Sequence, residues 1–422
     1  VIVAALAKIR NDSFFRNVGI LTGGTIGARA ILVLSLPLLT RLFSPADFEM
    51  LAVYMASLSL VVVIASLRLN MAITLPAEDT EAANLLALAL LAAGAISLVV
   101  AVAVIVAPTD AAKLLGQPDI QPYLWMIPAG IVVAAWYQAL QYWASRKRRF
   151  ALVARTRVTR AIGGTGTQIG FGLAGIAPFG LLLGHLVYSG LGTARLMSDL
   201  MRNERAALSG ISPTAMLRAF SKYRRFPIYS VPEALANSAG MQVPVILIAA
   251  VAAGPEAGYL ALAMQVMAIP MALVGQSVAQ VFIVEAPERM RAGTLSAFTR
   301  RTSLTLFKMG LVVLIPVGLL APMVFPFVFG VEWGRAGEIV LWMTPWYILQ
   351  FTASPVSTVL HVTGHLRRAM VLQFVGGALR IGAVIIAAAM AVGWISEAYA
   401  LSGAVFYALY ICVVLKTVGE RR

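Results

Sequence analysis

The run Asn17-Val18-Gly19-Ile20-Leu21-Thr22-Gly23-Gly24-Thr25-Ile26-Gly27-Ala28-Arg29 leads through an apolar stretch into Leu36-Pro37-Leu38-Leu39-Thr40-Arg41-Leu42-Phe43-Ser44-Pro45-Ala46-Asp47-Phe48. Its reading decides the class of the chain. Residues 17–40 are long enough to cross a bilayer, since about 20 residues at 1.5 Å rise span roughly 30 Å. Ser44-Pro45 ahead of Asp47 marks the next helix start, where proline suits the first helical position. Arg29 falls near the middle of the span. An ionisable side chain at that depth is costly and marks a functional site by default.

Composition extends this reading to the whole chain. Of 422 residues, 60% are hydrophobic and only 12% charged. A soluble domain carries about 25% charged residues. The chain is therefore all-α and polytopic in a membrane. Its formal charge of +15 resides in loops between apolar runs, so it does not point to nucleic acid. One cysteine, Cys412, and three histidines leave no basis for a disulfide framework, a metal site or a bound cofactor. Val1 to Arg10 carries its charges after a short apolar run, the wrong order for a secretory signal, and reads as a cytoplasmic lead-in helix.

Hydropathy places twelve spans near 17–40, 48–71, 82–107, 121–144, 151–173, 176–197, 227–252, 256–284, 302–328, 338–361, 368–391 and 395–417. With that count, 27 of the 33 lysines and arginines fall on one side. Three, Arg41, Lys113 and Arg335, fall on the other, and Arg29, Lys308 and Arg380 lie within spans. The bias predicts that both termini are cytoplasmic. The longest inner connection, residues 199–226, divides the chain into an N-terminal six-helix bundle, 1–198, and a C-terminal one, 227–422. Pro213 to Tyr223 within it has the pattern of an amphipathic interfacial helix, with Met216, Leu217 and Phe220 on one face. The turns Ser44-Pro45-Ala46-Asp47 and Gly254-Pro255-Glu256-Ala257 are six spans apart and fit two parallel repeats.

Candidate site residues follow from depth. Arg29 and Arg380 lie deep in their spans, Arg68 ends the second span, and Lys308 sits a turn or two inside its own. Each could contact an anionic group, or be satisfied by carbonyls or by snorkelling. Gly376-Gly377 beside Arg380 permits close helix approach. Gln138, Gln141, Asn237, Gln265, Gln276 and Gln280 could line a polar cavity or bond between helices. Gly163-Gly164-Thr165-Gly166 lacks the following Lys-Ser of a phosphate loop and reads as packing. No central acidic pair is present, so the implied ligand is anionic at its head.

These motifs resemble one family. Asn17-Val18, Gly24-Thr25, the run from Pro37 to Phe48, Ser66-Leu67-Arg68 and Ala72-Ile73-Thr74-Leu75-Pro76 are similar to the bacterial polysaccharide and O-antigen flippases. So are Tyr223-Arg224-Arg225-Phe226-Pro227, Gly275-Gln276-Ser277 and Phe329-Gly330-Val331-Glu332-Trp333. That family belongs to the multidrug/oligosaccharidyl-lipid/polysaccharide exporter superfamily. The resemblance implies two six-helix bundles forming a V around a central cavity, and alternating access. It implies transport of undecaprenyl-pyrophosphate-linked oligosaccharide across the bacterial inner membrane, in O-antigen, lipopolysaccharide or exopolysaccharide biosynthesis. Membrane lipids and a polysaccharide polymerase or export machinery are the implied partners. Coupling to a Na+ or H+ gradient is left open. Leu69, Asn70 and Gln265 depart from the family pattern, which often has an aromatic, an acid and an arginine there.

Other readings remain. An ion-coupled multidrug exporter of the same fold would want central carboxylates. An envelope-assembly enzyme with many spans would want catalytic groups on outer loops, which here are short. An inactive scaffold would have no reason to keep Arg29 and Arg380. A transporter, not an enzyme, is the expectation.

Overall fold

In the computed structural model the described residues are 13–271, 276–357, 359–363, 365–390 and 392–419. Among them there are helices and turns but no strand. The long helices are α1 (Ser13–Leu42), α2 (Pro45–Ala65), α3 (Asp79–Val106), α4 (Met126–Arg146), α5 (Phe150–Leu173), α6 (Phe179–Gly190), α7 (Thr193–Asn203), α8 (Pro213–Tyr223), α9 (Val231–Val251), α10 (Glu256–Pro270), α11 (Gln276–Arg291), α12 (Leu295–Phe329), α13 (Gly334–Val356), α14 (Leu366–Met390) and α15 (Ile395–Gly419). Among the described residues, 7 helices are long and apolar enough to cross a membrane: those over Thr22–Leu42, Pro45–Ala65, Asp79–Val106, Phe226–Val251, Leu295–Phe329, Arg367–Met390 and Ile395–Gly419. The chain is an all-helical, multi-span membrane protein. The lead-in helix expected over Val1 to Arg10 lies outside the described residues.

Two expected spans differ in detail. The second ends at Ala65 rather than near 71. Leu67 and Arg68 take left-handed conformations, with φ of 51° and 58°, and a short helix, Leu69–Ala72, follows. A left-handed pair cannot continue a right-handed ladder. The sixth span is two helices, α6 and α7, meeting at Leu191 and Gly192. The Tyr137 ring lies against Gly192, where an added Cβ would come within 2.6 Å of it.

The chain forms two compact units. The first is the described chain through Phe43 with Ser57–Leu235; the second is Ser44–Ala56 with Ala236–Arg422. The boundary at Phe43 and Ser44 is a reciprocal cap. The Ser44 amide donates to Asp47 Oδ2 at 2.8 Å, and the Asp47 amide donates to Ser44 Oγ at 3.3 Å. This satisfies donors at the start of α2 that the helix itself leaves unpaired.

Small residues set the packing of the first unit. A Cβ on Gly24 would meet Ala154 Cβ at 2.6 Å, so α1 and α5 touch nearly backbone to backbone. Gly164 stands 2.6 Å by the same measure from Tyr188 Cβ on α6, so Gly163 and Gly164 pack closely there, while Gly166 faces open space. The basic run after α4 is tied down by acids. Arg146 and Lys147 bind Asp79 at 3.0 and 2.6 Å, Lys147 and Arg149 bind Glu204 at 2.8 and 2.6 Å, and Arg149 also binds Asp199. Burial works against the Lys147 charge, yet its bonds to Asp79 and Glu204 outweigh this and hold its pKa above the usual lysine value. That stabilisation is complete below the ordinary lysine pKa and is lost as pH rises through the raised one.

In the second unit the start of α2 is seated on α10 and on the short turn, Val331–Trp333, that leads into α13. Glu49 Oε2 accepts from the Ala257 amide at 3.2 Å, and Phe48 meets the Trp333 ring edge-on at 4.9 Å. Gly258 admits the Pro45 carbonyl, which an added Cβ would meet at 2.1 Å. Arg335 joins three helices through Glu256 (2.6 Å), Glu338 (3.0 Å) and Glu397 (2.7 Å).

Glu204 is buried and serves two cations. Glu204→Gln is expected to destabilise the protein by about 1.5–3 kcal/mol, because it weakens the charge-assisted hydrogen bonds to Lys147 and Arg149. Thermal unfolding of the full chain in detergent measures this as a lowered midpoint, with Glu338→Gln, an exposed partner, near wild type.

Candidate functional site

Arg380 is the deep arginine that the structure buries. It lies on α14 and is 3% exposed. Three other helices of the second unit, α9, α13 and α15, surround it, and glycines let them close in. Gly240 of α9 faces Gly377 of α14, where an added Cβ would meet Gly377 Cα at 2.8 Å. Gly376 lies under the Phe406 ring of α15, and Gly403 of α15 lies against Trp346 of α13. The guanidinium thereby sits among three rings, with centroids at 4.6 Å for Phe406, 5.5 Å for Trp346 and 5.7 Å for Tyr407. Aromatic faces offset part of the cost of burying a cation, about 0.5–2 kcal/mol each.

They do not satisfy its donors. Nε and Nη2 of Arg380 are buried and without a hydrogen-bond partner. Among the described residues no carboxylate forms an ion pair with it. Arg380 opens instead on a cavity of about 120 Å³. The polar lining is Asn237, Ser354, Ser357, Gln373, Tyr407 and Tyr410, and no acidic side chain contributes. Neutral polar groups around a guanidinium with no carboxylate partner are the chemistry of a candidate anion site.

The other predicted residues are distributed differently. Asn237 lines this cavity with Arg380. Lys308, in the same unit, is exposed on α12 and does not line it. Gln265 is half-buried on α10, and the side chains of Gln276 and Gln280 lie outside the described residues. In the first unit Gln138 is exposed and Gln141 half-buried. Arg29, expected deep and buried, is exposed on α1. The reason is rotational: α1 turns Gly24 and buried Ala28 toward the unit, and the next residue points about 100° away. Arg68 is half-buried in its left-handed turn, with Nε unpartnered.

Ser354, Ser357, Gln373, Tyr407 and Tyr410 escaped the sequence reading. A signal was present: Gln373, Gly377 and Arg380 recur at helical spacing, as do Ser354 with Ser357 and Tyr407 with Tyr410.

A family model described as polysaccharide biosynthesis protein matches residues 38–337. The chain belongs to that family. Solved structures of the same fold include the lipid II flippase MurJ in an inward closed conformation, at 14% identity over 92% of this chain and 87% of that one, with a TM-score of 0.67. An outward-facing multidrug resistance MATE family transporter of the MOP superfamily is 12% identical over 98% of both chains, with a TM-score of 0.63. A Vibrio cholerae MATE transporter, VcmN, is 11% identical over 99% of this chain and 98% of that one, with a TM-score of 0.59. No curated protein sequence matches the chain. At these identities the likeness is one of fold.

Gly240→Val is expected to force α9 and α14 apart, since the added Cβ would meet backbone rather than a movable side chain. The cost is about 1–3 kcal/mol. It should appear as a lower unfolding midpoint, whereas Gly382→Ala, with open space at its Cβ inside the helix, should not lower it.

Proposed function

We propose that the protein is a flippase for an undecaprenyl-pyrophosphate-linked oligosaccharide in polysaccharide biosynthesis. It carries this lipid from the cytoplasmic to the outer leaflet of the bacterial inner membrane by alternating access, with both of its own termini cytoplasmic. Membership of the polysaccharide biosynthesis protein family and a fold shared with a flippase support a transporter of this kind. The single observation that carries the substrate class is Arg380, a buried cation with unpaired donors on a polar cavity free of acids.

The chemistry fits a phosphoryl group. The guanidinium edge presents donors in a planar fork suited to two phosphoryl oxygens. Ser354, Ser357 and Tyr407 hydroxyls can donate to the oxygens that remain. At about 120 Å³ the cavity is well below the roughly 300–1,000 Å³ of sites that enclose a whole ligand. It therefore takes the phosphoryl part and leaves the sugars and the polyprenyl chain outside. An organic cation is disfavoured at the same place by the fixed positive charge.

The test is flipping of a fluorescent polyprenyl-pyrophosphate-linked sugar in proteoliposomes. Arg380→Gln is expected to lower the rate about 10- to 100-fold, in line with the loss of charge-assisted hydrogen bonds. Arg380→Lys keeps the charge without the fork and should fall between. Wild-type rates in both variants would remove the head group from Arg380. Absence of flipping by the wild type under Na+ and H+ gradients would overturn the flippase reading itself.

A further inference from the structure

Helix α8 is held in place on one side and bare on another. Ser212 caps it, accepting from the Ala215 amide at 3.3 Å. The turn before it is pinned to the start of α3: Asn84 donates to the Gly210 carbonyl at 3.2 Å and accepts from the Ser212 amide at 3.2 Å. Ala219 is buried in the core shared with α3 and α4, with Tyr223 packed beside it. Lys222 reaches Glu81 at 2.6 Å, a bond that raises its pKa.

These ties fix which face is left over. Leu217 is 69% and Phe220 37% exposed, and Ile228 and Tyr229 just beyond are 55% and 70% exposed. Arg218, Arg224 and Arg225 are exposed around them. Between Glu204 and Glu233 the sequence holds five basic residues and no acidic one. The position is equally defined. α8 packs on the first turns of one membrane span, Asp79–Val106, and leads directly into another, Phe226–Val251. It thus lies where spans leave the bilayer.

We infer that α8 is a docking surface for anionic phospholipid. Leu217 and Phe220 enter the boundary between head groups and acyl chains, and Arg218, Arg224 and Arg225 engage the phosphates. This is independent of the Arg380 site.

The test uses the full chain in a Cys412→Ser background, with nitroxide labels on Ala215→Cys, Leu217→Cys, Phe220→Cys or Lys222→Cys. In phosphatidylglycerol vesicles labels at 217 and 220 should lie about 5–10 Å into the boundary, deeper than those at 215 and 222 on the opposite face of the helix. In phosphatidylcholine they should be shallower. Combined Arg218→Gln, Arg224→Gln and Arg225→Gln should lower the purified protein's preference for phosphatidylglycerol over phosphatidylcholine, by up to about 100-fold if each charge acts alone. Aqueous exposure of 217 and 220 in both lipids would overturn the inference. So would lipid contact indifferent to lipid charge and to the three arginines, or dipolar broadening between labels, which would mean that a second copy covers the face.

Discussion

A guanidinium withdrawn from water must recover, inside the protein, what hydration supplied, and in this protein Arg380 recovers only part of it. Rings of Phe406, Trp346 and Tyr407 meet the cation, but Nε and Nη2 remain without partners. Burial of an unpaired charge costs several kcal/mol, so the second unit has to support it through packing elsewhere. Gly240 against Gly377, Gly376 under Phe406 and Gly403 under Trp346 bring four helices close enough to do so. The same closeness leaves a small polar cavity as the guanidinium's outlet. Structure and chemistry converge on one side chain.

The charges at the span ends obey another rule. Arg146, Lys147 and Arg149 are cations like Arg380, yet each has acidic partners, and together they tie α3, the turn after α4, and α7. Partial exposure lets water share the cost, so pairing suffices. Arg335 does the same in the second unit with three glutamates. The contrast between cations paired with carboxylates at helix ends and a buried one with none is what singles out the proposed anion site.

Much of this was legible in the residues. Membrane class follows from 60% hydrophobic content, because only helices satisfy their own backbone over such lengths of apolar chain. Arg380 stood out as a lone charge beside Gly376-Gly377, and α8 over Pro213 to Tyr223 could be read from its apolar spacing. Arg29 shows what such a reading leaves open: depth along a span does not specify rotation about the helix, and Arg29 is exposed on α1 while Gly24 and Ala28 face the unit. Ser354, Ser357 and Tyr407 looked like ordinary span residues, since their role arises only when α13, α14 and α15 meet. The left-handed pair Leu67-Arg68 carries no glycine to announce it.

Helix α2 has a consequence for how the protein can be taken apart. Its first twelve residues, 45–56, belong to the second unit, although about 180 residues lie between them and the rest of it. A cut in the connection around α8 would therefore yield fragments that do not match the structural units. The C-terminal fragment would lack the segment carrying Pro45, Phe48 and Glu49, leaving Gly258, Trp333 and the Ala257 amide uncovered. The N-terminal fragment would carry that segment with nothing to bury it. Each piece holds what the other needs, so the two would be obligate complements rather than independent halves.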